Sequence, residues 1–348
     1  MSVIRTIGIV SLSSGMLGED FARHQLELGV KRLEAYGVKA KFMPNALKGI
    51  AYLNAHPEAR AADLVAAFQD PEVDLIMTAI GGDDTYRLLP YLFGHDELKN
   101  ALTKKPFLGF SDTTVNHLML HKLGLPSFYG QAFLTEICEL GPEMLPYSRG
   151  YFEELIETGR IAEVRPSPVW YEEHPSFGAE ELGVAPVSHE NGGFKLLQGP
   201  AVFRGKILGG CICTLFDLFD GGRYADSPAL CAEFGLFPPA EDWRGKILLL
   251  ESSEERPKPE KYRAALTYLK DAGVLEAVSG ILVGKPQNEV YDQEYRAIIR
   301  EVVDDPEKPI VCNLSIGHAL PRCILPFGVE AEVDADKQRI RFFWESEK

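Results

Sequence analysis

The first half of the chain alternates short apolar runs with amphipathic segments. The apolar runs predict strands at 7–12, 38–43, 73–80 and 107–110. The amphipathic segments predict helices at 21–36, 59–68, 85–92 and 112–123. The run at 73–80 is almost continuously apolar, which is typical of a strand buried on both faces of a parallel sheet. The pattern therefore predicts an α/β fold class, with a doubly wound parallel-sheet domain over residues 1–160.

The second half begins with a looser segment. Residues 161–200 carry several prolines and an Asn-Gly-Gly turn, which predict a linker and an irregular binding region. Residues 201–348 predict a C-terminal α/β domain with a β-rich tail. Its strands are expected at 201–208, 246–250, 278–283 and 310–314, with a turn at Gly209-Gly210, a helix or strand at 211–219, and helices at 261–272 and 292–303. The tail at 330–343 alternates in strand fashion and predicts a hairpin or sheet edge.

Composition narrows the functional class. The 348 residues carry a formal net charge of −15, so binding to nucleic acid or to an anionic membrane surface is not expected. No apolar run is long enough to cross a bilayer, and the first ten residues resemble a strand rather than a signal peptide. We expect a cytoplasmic protein.

The six cysteines predict neither disulfides nor a metal site. Cys211 and Cys213 are separated by one residue, too close for a zinc knuckle, and no second tight pair completes a site. Most of the cysteines lie in apolar stretches, which indicates buried free thiols. One alternative is a cysteine hydrolase that uses Cys211 or Cys312, although neither lies at a convincing strand-to-helix corner.

Ser111 follows a predicted strand and directly precedes a predicted helix. A serine at such a corner is typical of a nucleophile elbow, whose backbone N–H groups can receive an oxyanion. Serine is also one of the best helix N-cap residues, so a purely structural role is the alternative. Thr113 stands where the usual hydrolase elbow has its second glycine.

Two further chemical groups follow predicted strands. Glu251 ends the apolar run 247–250, and His318 lies in the loop after the strand at 310–314. Because ligand sites of such sheets gather at the carboxyl ends of strands, Ser111, Glu251 and His318 together predict a nucleophile, a base and a carboxylate that orients the base. Each of the last two also has a structural alternative: a solvated strand end for Glu251 and a satisfied loop histidine for His318.

These residues occur within motifs that resemble the LD-carboxypeptidase family of serine peptidases, and within it the branch of microcin C self-immunity peptidases. The matching stretches run nearly end to end: 80–82 with 88–92, 109–112, 191–194 with 205–210, 249–255 with 259–260, and 317–318 with 325–328. The resemblance implies an active site in the cleft between the two domains and a Ser–His–Glu triad formed by Ser111, His318 and Glu251. It also implies an oxyanion hole from the N–H groups of Gly82 and Asp112, no metal or organic cofactor, and a homodimer.

The residues expected to bind the substrate are Gly81, Asp83, Phe194 and Trp170. The chain has Asp83, Asp84 and Thr85 after its double glycine, where relatives often have Ser or Asn, and Phe194 where they usually have Trp. Aromatics in this region of the immunity branch resemble platforms for a flat group, so Phe194, Trp170 or Tyr171 are candidates for stacking. The alternative is that these rings belong to the core.

The resemblance implies hydrolysis of an amide bond in a small modified peptide or in an aminoacyl or peptidyl nucleotide. A muropeptide LD-carboxypeptidase that releases terminal D-Ala is the second hypothesis. A non-catalytic α/β binding protein is the third. With a histidine base, activity is expected to fall on the acid side with a midpoint within about one unit of 6.5.

Overall fold

A computed structural model describes residues 3–344, which form two large β-sheets and a short hairpin, with helices packed against the sheets. The strands are β1 (Thr6–Val10), β2 (Lys39–Phe42), β3 (Leu75–Thr78), β4 (Phe107–Gly109), β5 (Ser127–Tyr129), β6 (Glu163–Val164), β7 (Val169–Tyr171), β8 (Ser188–Glu190), β9 (Lys195–Gln198), β10 (Val202–Cys211), β11 (Ile247–Glu251), β12 (Gly280–Gly284), β13 (Ile310–Leu314), β14 (Leu325–Phe327), β15 (Glu330–Asp334) and β16 (Arg339–Phe343).

The α-helices lie between these strands. They are α1 (Arg23–Ala35), α2 (Ile50–Ala55), α3 (Pro57–Gln69), α4 (Leu89–Phe93), α5 (Glu97–Ala101), α6 (Thr114–Lys122), α7 (Pro146–Thr158), α8 (Ile212–Asp220), α9 (Ser227–Glu233), α10 (Ala240–Trp243), α11 (Pro259–Asp271), α12 (Val274–Ala277) and α13 (Asp292–Val303). Helix α13 shows why such segments are helical, since Tyr295, Ile298, Ile299 and Val302 recur on one buried face while acids occupy its first turn.

The first sheet contains the predicted doubly wound core. Its order is β14-β5-β4-β3-β1-β2, and β1 to β5 pair in parallel while β14 is antiparallel to β5. The strand order reverses between β1 and β3, and sheets of this kind leave a crevice at the carboxyl ends of such strands. The loops that follow β1 and β3 carry Ser13-Ser14 and Gly81-Gly82, so these residues lie at that crevice.

The second sheet is mixed, with the order β6-β16-β15-β10-β11-β12-β13-β9. Strands β10 to β13 are parallel, and antiparallel strands flank them on both sides. The tail forms the predicted hairpin, in which Glu330 pairs with Phe343 and Asp334 with Arg339. The mixed α/β class with a β-rich tail is confirmed. Among the described residues, no helix is both long enough and apolar enough to span a membrane.

The turn predicted at Gly209-Gly210 is wrong, because both glycines lie inside the ten-residue strand β10. Both have φ of +135°, a region that favours glycine. A Cβ on Gly209 would collide with the carbonyl of Leu249 on β11, and one on Gly210 would collide with Thr114 of α6. The glycines therefore allow close approach of neighbouring backbone and side chains within the sheet rather than a turn.

The segment 161–200 contributes more structure than a linker. Strand β6 pairs with β16, and β9 pairs with β13, so both complete the edges of the second sheet. Conversely, β14 belongs to the C-terminal half of the sequence but forms part of the first sheet, where its Leu325 pairs with Tyr129 of β5. These strands have only two to four residues, too short for an alternating pattern to reveal them.

Candidate active site

A cavity of about 280 Å³ lies at the crevice of the first sheet. Its wall includes Ser14 after β1, Gly81 and Gly82 after β3, and Ser111 after β4. The second half of the chain completes the wall with residues that include His318. The cavity therefore lies where the two halves of the chain meet.

Ser111 lies on a sharp turn between β4 and α6. Its φ is +65°, a left-handed conformation that costs a non-glycine residue about 1–2 kcal/mol. The residue at the N-cap position of the short helical turn 111–113 is Phe110, and the Ser111 hydroxyl bonds to His318 rather than to the helix. Ser111 Oγ lies 3.0 Å from Nε2 of His318. Gly81 packs directly against it, because a Cβ on Gly81 would come within 2.7 Å of the Cβ of Ser111. The strained turn aims the hydroxyl at the histidine, so the N-cap alternative has no support in the structure.

His318 connects Ser111 to Glu251. Nδ1 of His318 lies 2.8 Å from Oε2 of Glu251, and the backbone N–H of His318 donates to the same oxygen at 3.3 Å. Both side chains are buried. The buried Arg322 donates to the carbonyl oxygens of Gly317 and His318 and pairs with Glu136, so it holds the backbone on which His318 is carried. The structure thus brings the three predicted residues into one hydrogen-bonded chain.

Tyr129 is a fourth member of this chain that the sequence did not reveal. Its hydroxyl donates to Oε1 of Glu251 at 2.6 Å and accepts the backbone N–H of Ser111 at 3.2 Å. Burial and the charge of Glu251 raise the pKa of Tyr129 well above its usual range, so the hydroxyl stays protonated. Tyr129 is the last residue of β5 and pairs with Gly109 of β4. Its position at a strand end is the one sequence feature that could have marked Tyr129 as a site residue.

Tyr129→Phe should lower kcat about 10- to 100-fold and change KM little, because a hydrogen bond to a charged carboxylate is lost behind His318. Without this donor the charge of Glu251 acts more strongly on His318, whose pKa it already raises, so the acid limb of the pH–rate profile should also move to higher pH. Steady-state kinetics across pH measure both effects. Tyr147→Phe is the control, since its hydroxyl donates to Arg165 away from Glu251. A purely structural role for Tyr129 would lower the melting temperature without moving the pH profile.

Gly82 and Asp112, the two residues expected to supply an oxyanion hole, lie next to Ser111 and the cavity: Gly82 lines the cavity, and Asp112 follows Ser111 in the chain. Within the described residues, no intramolecular hydrogen bond occupies the N–H of Gly82 or of Asp112. Gly82 has φ of +148°, and a Cβ there would collide with Ser13. Ser13 Oγ accepts the next N–H along the chain, that of Asp83, at 2.9 Å. The Asp112 carboxylate accepts the N–H of Thr85 at 2.9 Å, which ties the two loops together.

The family of the chain follows from its sequence matches. Residues 7–130 match the LD-carboxypeptidase N-terminal domain, and residues 204–333 match the LD-carboxypeptidase C-terminal domain. The chain belongs to the LD-carboxypeptidase family. It is therefore a peptidase, and the resemblance stated from the motifs is confirmed.

Individual relatives span nearly the whole chain. A putative carboxypeptidase of Streptomyces coelicolor is 29% identical over 90% of this chain and 86% of its own length. The microcin C7 self-immunity protein MccF of Escherichia coli is 25% identical over 98% of this chain and 93% of its own length. Among solved structures, an MccF-like protein from Streptococcus pneumoniae in complex with AMP is 57% identical, with a TM-score of 0.97 over 99% of this chain and 100% of the other.

In this LD-carboxypeptidase, a second carboxylate reaches His318. Oε2 of Glu254 lies 2.9 Å from Nε2, the same nitrogen that contacts Ser111. Burial lowers the pKa of His318, but the charge of Glu251 and hydrogen bonds to Glu251 and Glu254 outweigh it and raise the pKa to about 10. Burial opposes the charged form of Glu254 as well, yet its contact with His318 lowers the pKa of Glu254 to about 2. The sequence motif around Glu251 includes Glu254 but does not reveal this contact.

The raised pKa of His318 predicts an activity midpoint above the range around 6.5 that is expected from an ordinary histidine. A general base has to be neutral, so the reactivity of Ser111 in the free enzyme should rise with pH and pass its midpoint well above 6.5, toward 10. The rate at which a fluorophosphonate probe modifies Ser111 measures this without a titrating substrate. Glu254→Gln should move the midpoint to lower pH. A midpoint at or below 6.5 that does not move in this variant would contradict the contact.

The other predicted binding residues occupy different places. Asp83 is half-exposed and lies 3.6 Å from Arg223, beside the cavity rather than in its wall. Phe194 is buried and its backbone bonds to Gln338, outside the cavity wall. Gly81 alone of the four predicted positions lines the cavity.

The remaining two aromatic candidates also lie outside the cavity wall. Trp170 stacks on His189 with ring centroids 4.3 Å apart. Tyr171 donates its N–H to Leu320. Phe177 is the aromatic ring that does reach the cavity from this segment, and 59% of it is exposed. Phe177 belongs to none of the sequence motifs described above, so nothing in the sequence was a reason to select it.

The cysteines are buried with free thiols. Cys211 lies beside the triad residues, with the potential ligand atoms of Cys211, Glu251 and His318 within 4.8 Å of one another. Glu251 and His318 already bond to each other there. The hydrogen bond with Cys213 and burial raise the pKa of Cys211 well above its usual range, and burial raises that of Cys312 to about 11. Neither thiol is primed as a thiolate nucleophile.

Proposed function

We propose that this LD-carboxypeptidase is a serine peptidase that hydrolyses the amide bond of an aminoacyl or peptidyl nucleotide. The observation that carries the proposal is the hydrogen-bonded chain from Ser111 through His318 to Glu251, beside two unoccupied backbone N–H groups. The three side chains have the mutual contacts that acyl transfer requires of nucleophile, base and orienting acid.

In the proposed mechanism, neutral His318 removes the proton of Ser111 as Oγ attacks the scissile carbonyl carbon. Glu251 keeps Nδ1 protonated and stabilises the imidazolium that forms. The N–H groups of Gly82 and Asp112 receive the oxyanion, and one such donor contributes roughly 3–4 kcal/mol to lowering the barrier. His318 then gives its proton to the leaving nitrogen. A water, activated by the same histidine, releases the acyl group from Ser111. None of these steps uses a cofactor.

The nucleotide part of the proposal has two supports. The MccF-like protein from Streptococcus pneumoniae, 57% identical, was solved in complex with AMP. In addition, the exposed ring of Phe177 stands in the cavity wall, where an aromatic face can stack on a nucleobase. A muropeptide stem remains the second candidate, because the relatives include a murein tetrapeptide carboxypeptidase of Pseudomonas aeruginosa, 26% identical over 90% of each chain.

Mass spectrometry of products tests the proposal. The enzyme and its Ser111→Ala variant are incubated with an aminoacyl sulfamoyl adenosine and with an L,D-tetrapeptide muropeptide stem. Release of the amino acid that depends on Ser111 supports the nucleotide substrate. Loss of D-Ala that depends on Ser111 supports the muropeptide alternative. Binding of either compound without turnover would support a non-catalytic binding protein and overturn the proposal.

We further propose that the enzyme acts in the cytoplasm as a homodimer, without nucleic-acid or membrane partners. The net charge of −15 supports the absence of affinity for nucleic acid. Size-exclusion chromatography with light scattering measures the assembly. A mass of one chain at micromolar concentration would contradict the dimer.

A further inference from the structure

His318 meets two competing groups at one nitrogen. Nε2 lies 3.0 Å from the Ser111 hydroxyl and 2.9 Å from a carboxylate oxygen of Glu254. A carboxylate only accepts hydrogen bonds, so the contact with Glu254 requires a proton on Nε2. A base that is to take the serine proton needs Nε2 free. The contacts of His318 with Glu251 and Glu254 are ion pairs when Nε2 carries a proton, and this geometry fits a His318 imidazolium held between the two carboxylates.

Glu254 is positioned to change partners. Its side chain is 59% exposed and forms part of the cavity wall. The neighbouring Glu255 forms ion pairs with Arg223 and Lys261. Glu254 instead forms an ion pair with His318. When His318 becomes neutral, Glu254 loses this ion pair and faces the cavity as an unpaired carboxylate. A positive charge supplied by the substrate would then be stabilised there.

The other acids of the cavity wall are already engaged. Glu139 contacts Nε2 of His174 at 2.8 Å, and Glu173 contacts Arg256 at 3.2 Å. Neither of these partners takes part in the hydrogen-bonded chain at Ser111. Glu254 differs from both, because its partner is the histidine that has to be released before the reaction.

The distances suit a charge next to the scissile bond. Because Ser111 Oγ and Glu254 Oε2 both contact Nε2, at 3.0 and 2.9 Å, they lie within about 6 Å of each other. In an aminoacyl group, the α-nitrogen lies about 2.5 Å from the carbonyl carbon, as backbone bond lengths dictate. A carbonyl held against Ser111 therefore places an α-ammonium within reach of Glu254.

We propose that Glu254 is a specificity-determining residue that binds the free α-ammonium of an aminoacyl substrate and, by changing partners, frees His318 to act as the base. The inference rests on the proposed function, because it assumes that the scissile carbonyl sits against Ser111. Substrates whose acyl residue has a free amine should be preferred over substrates whose α-nitrogen is blocked in an amide, since an amide nitrogen carries no charge. Most internal peptide bonds, including the L,D-bond of a muropeptide stem, belong to the second class.

A matched pair of compounds tests the inference through binding. An aminoacyl sulfamoyl adenosine and its N-acetyl derivative are titrated calorimetrically at pH 7 into Ser111→Ala, which cannot turn them over. The free amine should bind about fivefold more tightly than the N-acetyl compound, the upper range for an ion pair with a carboxylate that is 59% exposed. In Ser111→Ala/Glu254→Gln the two compounds should bind equally, because the charge pair is absent for both. Ser111→Ala/Glu255→Gln is the control and should keep the full preference.

Failure of this inference can be distinguished from failure of the proposed function. Equal binding of the two compounds to Ser111→Ala, or an unchanged preference in the Glu254→Gln double variant, would overturn the role of Glu254. Turnover by the parent enzyme is measured separately. Its absence would count against the proposed function, while the binding ratio would still decide the inference.

Discussion

Ser111→Ala should reduce kcat for an aminoacyl sulfamoyl adenosine by at least about 10⁴-fold, because the variant lacks the hydroxyl that is proposed to form the acyl-enzyme. The residual rate should come from binding and from the N–H groups of Gly82 and Asp112. The fold should survive. Alanine meets the same left-handed backbone conformation as serine, and the hydroxyl bonds to His318 rather than to the helix, so the melting temperature should stay within about 4 °C of the parent. Single-turnover kinetics and calorimetry measure the two quantities.

Ser227→Ala is the matched control for this variant. Ser227 is also a buried serine at the start of a helix, α9, and its hydroxyl bonds to Asp217 outside the cavity. The Ser227→Ala variant should have a lower melting temperature than the parent and an unchanged kcat. If Ser111→Ala instead retains more than about one per cent of the parental kcat, the nucleophile is another group. If it unfolds far below the parent, Ser111 is chiefly structural.

Glu251→Gln should reduce kcat by about 10³- to 10⁴-fold while substrate binding changes much less. The amide can present an NH₂ group to Nδ1 of His318, which favours the tautomer with its proton on Nε2 and leaves no acceptor for the Ser111 hydroxyl. Loss of the buried charge also removes stabilisation of the imidazolium. The acid limb of the probe-modification profile should therefore move to lower pH. Kinetics at several pH values measure both changes.

Glu255→Gln is the control for Glu251→Gln. Glu255 belongs to the same acidic stretch but contacts Arg223 and Lys261, so its loss should leave kcat and the pH profile close to those of the parent. A decrease of less than tenfold for Glu251→Gln would show that the buried carboxylate does not orient His318. Rescue by Glu251→Asp would not be expected, since a shorter side chain cannot keep both the contact with His318 and the contact with Tyr129.

Much of this architecture was predictable from the sequence, because the signals are local. The strand at 107–110 and the serine after it follow from an apolar run that ends at a corner, and the structure has β4 and Ser111 at that place. The buried strand that ends at Glu251 is equally local. Glu251 ends strand β11 and His318 follows strand β13 of the second sheet, so their proximity follows from strand ends that meet at one edge. Ser111 follows β4 of the first sheet, so only the packing of the two sheets brings it to His318.

Only the tertiary structure decides the contacts between residues that are far apart in the chain. Tyr129 reaches Glu251 over 122 residues, and nothing in its local sequence distinguishes it from a core tyrosine. Nothing in the local sequence shows that the carboxylate of Glu254 contacts His318. Of the aromatic rings in the segment 161–200, Phe177 rather than Trp170 or Phe194 lines the cavity.

The edge strands also depend on contacts between distant parts of the chain. Strands β6, β9 and β14 have two to four residues, and their partners lie far along the chain, so pairing rather than pattern makes them strands. The sequence by itself determined the α/β class, the core strands and the residue types at the strand ends. Side-chain direction, the two carboxylates on His318 and the exchange of strands between the sheets depend on long-range packing, which no local periodicity encodes.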